Sequence, residues 1–330
     1  MRQTYAVCVK VAGISILFHS DREVDISHLS MLFKHHIIDE PAQLDHEIEF
    51  TGETERIIPA DAQLAWKGYF HAVGHKGDHS NDVRKYVSAD GSSEYFETWD
   101  GSCIINSRRE NKTLCAMKVK RKVLTKSITR SNIDTVLMLL IQIVMASHHR
   151  YTLHAAAVEW RGSAIVFTGR SGQGKSTLST DLAALGAGFL GDDIVFIYQE
   201  DGRLMIASLL FDAKLFESSK KTKDLVDILE RHGCEKIDSM PLQAIAEVKQ
   251  TRQGASYIEK EENTDRLFDT LLIAANNIAL QYDHNDWLSL CALMLQDYHL
   301  YTFYFGDRKL LDKRVLDDFN DEQAHATTPA

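Results

Sequence analysis

The 330-residue chain is short of cysteine, of net positive charge and of long apolar runs, and each shortage removes a class of protein. Its five cysteines, Cys8, Cys103, Cys115, Cys234 and Cys291, are odd in number, scattered and free of any C-x-x-C pair. That pattern gives neither a disulfide framework nor a zinc site, and it fits a reducing cytoplasm. The formal net charge is −10, so nucleic acid is not expected as a general partner, because neutralising phosphates takes a basic footprint. The longest apolar stretch, Val136 to Ala146, is broken by Gln142 and falls well short of the roughly 18 residues that suggest a membrane span. It reads as a buried helix, and no membrane partner is expected. The N-terminus lacks the charged segment, apolar core and cleavage site of a signal peptide. What is abundant is core-forming material: 44% of residues are hydrophobic, enough for one large domain or two.

Residues 169–176 read Gly169-Arg170-Ser171-Gly172-Gln173-Gly174-Lys175-Ser176, a complete phosphate-binding loop. Before it lies the short apolar strand Ala164-Ile165-Val166-Phe167, and after it Leu178, Leu182 and Leu185 recur at helical spacing. That strand, loop and helix context is what the motif needs to function. Glycines let successive backbone N–H groups turn inward around a phosphate, which then sits on a helix N-terminus. Gly169, Ser171, Gly172, Gly174, Lys175, Ser176 and Thr177 are the expected nucleotide contacts. Lys175 would reach the β- and γ-phosphates, and the Ser176 hydroxyl would ligate Mg²⁺. ATP and Mg²⁺ are the cofactors this implies.

Two further signals flank the loop. Asp192-Asp193 opens the apolar run Ile194-Val195-Phe196-Ile197 only 17 residues after Lys175, earlier than the acidic residue of most phosphate-loop ATPases. One carboxylate can support the metal and the other accept a proton from an attacking hydroxyl. Capping of a simple turn is the plainer alternative. His154 stands in Tyr151-Thr152-Leu153-His154-Ala155-Ala156-Ala157-Val158, 21 residues before Lys175. Small neighbours leave room for a ligand or another backbone, although a lone histidine on an apolar strand is more often a satisfied core residue.

The order Leu-His-Ala-Ala-Ala-Val, Gly-x-Ser-Gly-x-Gly-Lys-Ser-Thr-Leu and Gly-Asp-Asp resembles the HPr kinase/phosphorylase family, whose core is itself similar to the nucleotide-binding part of phosphoenolpyruvate carboxykinase. The similarity continues at Pro241-Leu242-Gln243-Ala244-Ile245 and at Tyr301 to Gly306, and spans about residues 131–313. It implies an ATP-dependent serine kinase in which His154, Asp192 and Asp193 line the phosphoryl-transfer site, Asp192 as base and Asp193 on the metal. Homo-oligomeric assembly is also implied. Two positions depart from proper HPr kinases: Arg170 stands for an acidic residue and Thr177 for a glutamate. The glycine-rich segment that docks HPr is missing. The Gly-Lys-Ser-Thr-Leu version with a front domain of this size is more similar to kinases that phosphorylate a serine of a lasso-peptide precursor. A peptide or small protein bearing a serine is therefore the expected partner. A small-molecule hydroxyl kinase and a non-catalytic, nucleotide-responsive binding protein are the alternatives.

Catalysis of phosphoryl transfer draws a further cation, for which Arg252 in Thr251-Arg252-Gln253-Gly254 is the candidate, with Lys214 and Arg170 competing. Residues 108–130 carry nine lysines and arginines against the single acid Glu110. The segment reads either as a cationic steering surface or as an edge strand guarded by lysines. His71, His75 and His79 are spaced by four, but Gly74 and Gly77 speak against the helix that would bring them together on a metal.

The expected architecture is α/β. A smaller β-rich domain at 1–130 is followed by a phosphate-loop kinase core of the HPr kinase type at 131–313 and a polar, disordered tail at 314–330. Expected strands are Ala6–Val11, Ile14–Phe18, Cys103–Ile105, Leu114–Val123, Ala244–Val248 and Tyr301–Phe305. Expected helices are Ser131–Ser147, with Ser131 as cap, then Lys223–Arg231, Thr264–Ala279 and Asp286–Leu295.

Overall fold

A computed structural model describes residues 4–319, apart from 40, 42, 52–57, 70–81, 100, 108, 117–128, 171, 210–211, 217–222, 252, 264, 267–268, 271–283 and 299. His71, His75, His79, Ser171, Arg252, most of the basic segment and residues 320–330 fall outside that description. The fold is mixed α/β, and the described residues form two nine-stranded sheets, a two-stranded one and few helices. The described residues up to Tyr151 form one compact unit and those from Thr152 a second. The sequence reading divides the chain before the helix Thr129–Ser147, and the compact units part after it.

The first sheet runs in the order Ile37–Ile38, Tyr5–Val11, Ile14–Ser20, His46–Thr51, Lys112–Ala116, Cys103–Ser107, Ser93–Thr98, Asp82–Val87, Gln63–Tyr69. Hairpin neighbours pair antiparallel, while His46–Thr51 is parallel to a strand on each side. Alternation decides which side chains turn inward: Ile48 and Phe50 are buried, and Glu49 between them is exposed. A helix that the sequence reading did not anticipate, Glu23–Leu32, buries Ile26 and Leu29. The apolar helix Thr129–Ser147 buries Val136, Leu140, Ile143 and Val144, as its composition requires. It starts two residues before the expected cap, so Ser131 lies inside it.

One polar thread crosses this apolar interior. His148 Nε2 and His46 Nδ1 lie 3.1 Å apart, His46 Nε2 is 2.8 Å from Thr113 Oγ1, and that hydroxyl donates to Asn106 Oδ1 at 3.0 Å. Because the threonine hydrogen is committed to Asn106, His46 must donate through Nε2 and accept at Nδ1. Burial, aided by the neighbouring His148 and opposed by Glu47, pushes His46 down to about 3.

The second sheet is organised around the 12-residue strand Ser239–Gln250. Its first residues pair antiparallel with Arg203–Ser208. Its middle is parallel to Ser163–Thr168, the strand that leads into the loop. Its end is parallel to Leu300–Phe305. Ala156–Trp160 and then Gly188–Gly191 extend the sheet beyond the loop-bearing strand. Among the described residues the expected βα alternation is realised around the loop and again where the helix His284–Asp297 leads into Leu300–Phe305, and antiparallel pairs make up much of the rest. Leu178 and Leu182 of the following helix, Lys175–Ala184, pack on Ile165, Phe167, Ala246 and Phe303.

Two expectations fail here. Lys223–Asp227 is a strand paired with Asp212–Phe216, and only Ile228–His232 is helical. Leu225, Ile228 and Leu229 imitate helical spacing, and a partner strand overrides it. The tail does not start at residue 314: Lys313–Phe319 is a 3₁₀ helix that buries Leu316 and Phe319 in the core beside the loop helix.

Candidate active site at the phosphate loop

The loop is shaped by glycines whose positive φ other residues adopt only under strain. Gly169 has φ +127°, and a Cβ there would meet the Val248 carbonyl oxygen at 3.3 Å. Gly174 has φ +96°, and a Cβ there would lie 3.2 Å from the Phe305 ring. Both positions therefore need the freedom and the small volume of glycine. Gly174 is also the cap of Lys175–Ala184, and its carbonyl accepts from Leu178 N at 2.8 Å, so helical N–H groups begin where the loop ends. Ser176 and Thr177 lie in the first turn, half-buried.

Lys175 is buried with 7% of its surface exposed, an unusual place for a lysine. Its ammonium donates to the Gly169 carbonyl at 2.7 Å and to that of Arg170 at 3.4 Å, which holds it over the inside of the loop. On its other side, Lys175 Nζ stands 3.5 Å from His154 Nε2. His154 Nδ1 lies 2.9 Å from the Asp193 carbonyl oxygen. Only an N–H can bond a carbonyl, so the ring donates through Nδ1 and offers the Nε2 lone pair toward the lysine. The histidine joins the loop lysine to the acidic turn.

That turn breaks the apolar run 189–198 into the strands Gly188–Gly191 and Val195–Glu200. Asp193 is left-handed at φ +66°, a conformation that aspartate tolerates better than most residues, and Ile194 N donates to the Asp192 carbonyl at 2.8 Å. The reversal aims the Asp193 carbonyl at His154 and leaves Asp192 4% exposed. A group of this kind can hold a phosphate chain between loop amides and a lysine, and can keep a carboxylate ready beside it. The donor set also suits Mg²⁺, which is bound by one or two carboxylates with phosphate and water oxygens rather than by an all-protein cage.

Of the sequence candidates, Gly169, Gly172, Gly174, Lys175, Ser176 and Thr177 fall on the loop and its helix. His154 and Asp193 reach Lys175 by the contacts given above, and Asp192 lies in the same turn. Arg170 is exposed, and Lys214 falls on the strand Asp212–Phe216. In the basic segment, Arg109 pairs with Asp90 at 3.6 Å and Lys112 with Glu47 at 2.9 Å. Sequence reasoning missed Glu247. It stands opposite Thr168 at the carboxyl end of the neighbouring parallel strand, and its signal was a lone acid in the apolar run Ala244-Ile245-Ala246-Glu247-Val248.

Fold and site define an α/β protein built around a phosphate-binding loop. No protein-family profile matches the chain. It is 28% identical over 157 residues to the HPr kinase/phosphorylase of Lactobacillus johnsonii, covering 46% of this chain and 45% of that one. It is 26% identical over 198 residues to the HPr kinase/phosphorylase of Chlorobium phaeobacteroides, covering 57% and 56%. The chain thus spans about half the length of the curated relatives it matches. The Hpr(Ser) kinase/phosphatase structure from Coxiella burnetii aligns with 53% of this chain and 95% of its own, at 13% identity and a TM-score of 0.31, too weak to add to the sequence matches. On the two curated relatives, the chain is HPr-kinase-like.

Proposed function

We propose that the chain is an ATP- and Mg²⁺-dependent kinase that transfers the γ-phosphoryl group to a hydroxyl, that of a serine in a peptide or small protein. The observation that carries this reading is the buried Lys175, fixed over the loop and in contact with His154, which binds the backbone of the Asp192-Asp193 turn. ATP supplies the phosphoryl group and ADP as leaving group. Loop amides and Lys175 hold the β- and γ-phosphates, and Ser176 with Asp193 holds Mg²⁺. Asp192 takes the proton of the serine hydroxyl as its oxygen bonds to phosphorus and the bond to the bridging oxygen of ADP breaks. His154 keeps lysine and turn in register. Arg252 is proposed as the extra cation on the transferring group.

The names of the curated relatives speak of a protein substrate, HPr, which supports a proteinaceous acceptor. A lasso-peptide precursor rests on motif resemblance alone. The unit up to Tyr151 is proposed to recruit the acceptor. In a purified assay with Mg-ATP and a peptide pool, Asp192→Asn should lower phosphoryl transfer by ~10²–10⁴-fold while nucleotide binding persists. Full transfer by that variant would sink the assignment of Asp192.

A further inference from the structure

The strand Ser239–Gln250 carries two charges, Glu247 and Lys249, and both stand where it meets the phosphate loop. The strand is parallel to Ser163–Thr168 on one side and to Leu300–Phe305 on the other, so three carboxyl ends lie together beside the loop. Open α/β sheets bind their ligands at such ends. Ala246 and Val248 pack on the face that holds the loop helix, which leaves Glu247 and Lys249 on the opposite face. Glu247 stands between Thr168 and Thr302, and Lys249 stands opposite Tyr304. A Cβ on Gly169 would lie 3.8 Å from Glu247 Cγ and 3.3 Å from the carbonyl oxygen of Val248, the residue before Lys249. Gly169 is also the residue whose carbonyl holds the Lys175 ammonium at 2.7 Å. Strand end and loop lysine thus converge on one end of the loop, the end assigned to the β- and γ-phosphates.

Lys249 is loosely held. Its ammonium lies 3.6 Å from Glu247 Oε2, beyond hydrogen-bond length, and 5.9 Å from the centre of the Tyr304 ring. The two side chains are 33% and 26% exposed, and an ion pair of that kind contributes little. Arg308, after Leu300–Phe305, contrasts with it, bound to both carboxylate oxygens of Asp181 at 2.6 and 2.5 Å. Lysine carries its charge on a flexible four-carbon stem, so Lys249 can exchange Glu247 for a stronger anion without any movement of the strand. A triphosphate in the loop is that anion: its terminal group bears more charge than one carboxylate and would sit at the end of the loop that Lys249 adjoins. Glu247 beside Gly169 would otherwise repel it.

We propose that Lys249 is the cation that engages the γ-phosphoryl group, and that Glu247 holds it in reserve until nucleotide binds. The proposal rests on the ATP-dependent kinase reading and deepens it. Arg252, the candidate drawn from sequence, lies outside the described residues, whereas Lys249, three residues earlier, has a defined place beside the loop. In the transfer step Lys249 keeps its protons and neutralises charge on the γ-oxygens. The serine oxygen bonds to phosphorus, the bond to ADP breaks and Asp192 takes the proton.

The test is calorimetric titration of the full chain with Mg²⁺ and either ADP or the β,γ-imido analogue of ATP, which keeps the γ-phosphate and is not transferred. Lys249→Met, which keeps the stem and removes the charge, should bind the analogue about tenfold more weakly than the native chain and ADP within about twofold of it. Lys249→Arg should keep the native preference for the analogue. Glu247→Gln should move the other way, binding the analogue about threefold more tightly with ADP unaltered, because the lysine is released. Native binding of the analogue by Lys249→Met, equal loss of both ligands, or weaker analogue binding by Glu247→Gln would overturn the assignment while leaving the loop intact. If the native chain bound neither ligand, or Lys175→Ala bound both unchanged, the kinase reading would fail and take Lys249 with it.

Discussion

At Asp193 the backbone and the side chain have separate duties, and substitution can part them. The backbone must hold φ +66° so that its carbonyl meets His154, while the carboxylate is assigned to the metal. Glycine adopts that conformation freely, whereas a β-branched residue does not. Asp193→Gly should therefore keep the melting temperature near native and lose its response to Mg²⁺. Asp193→Val should cost about 1–3 kcal/mol of stability. Thermal melts of both variants with and without Mg-ATP give the comparison, and equal melting temperatures for the two would show that the left-handed turn matters little. The residue scale is also where the sequence was most readable. A glycine pattern ending in Gly-Lys-Ser and a Gly-Asp-Asp triplet are conformational requirements written in residue types. The contact of His154 with the Asp193 carbonyl could not be read, because a backbone acceptor has no letter of its own.

Among elements, the thread from His148 through His46 to Thr113 and Asn106 makes a strand, a helix end and a further strand pair depend on one uncharged histidine. His46 lies near 3 in the folded chain and at an ordinary value once unfolded. The unfolded chain therefore binds the extra proton first as pH falls. The stabilisation is complete above about pH 6.5 and declines as pH drops from there toward 3, by roughly 2 kcal/mol at pH 5. Urea titrations of the native chain at pH 7 and pH 5, beside His46→Asn, should show a pH slope that the variant has lost. An unchanged slope in the variant would assign the acid sensitivity elsewhere. Elements were also where sequence reading went astray. Lys223–Asp227 carries a helical apolar period and pairs as a strand, and Glu23–Leu32 is a helix with little segregation of apolar from polar residues. In both cases the partner surface decides, and periodicity within one segment cannot report a surface supplied from elsewhere.

For the whole molecule, the two compact units should answer to different ligands. On the proposed function, Mg-ATP should act on the unit that bears the loop, where a ligand concentration of 100 Kd stabilises by about 2.7 kcal/mol. Mild acid acts on the unit that holds His46. Scanning calorimetry should accordingly resolve two transitions, one raised by Mg-ATP and the other lowered at pH 5. A single transition moved by both would mean that the units unfold together. The α/β class and the β-rich front were legible in strand spacing, but the sheet orders were not. Strand order depends on pairings between residues such as Ala164 and Leu242, and no local signal encodes them.

The central position of Ser239–Gln250 has a consequence for how the chain is born. Ribosomes deliver residues in sequence, yet Thr168 bonds to Ala246, 78 residues later. At about 5–20 residues per second, the apolar edge of Ile165 and Phe167 waits roughly 4–16 s for that neighbour to be synthesised. During that interval the nascent hairpin of Ala156–Trp160 and Ser163–Thr168 presents one unpaired strand edge next to a finished loop sequence, which makes it a natural client for a holding chaperone. Slowing translation between codons 170 and 240 should lengthen that exposure and lower the soluble yield.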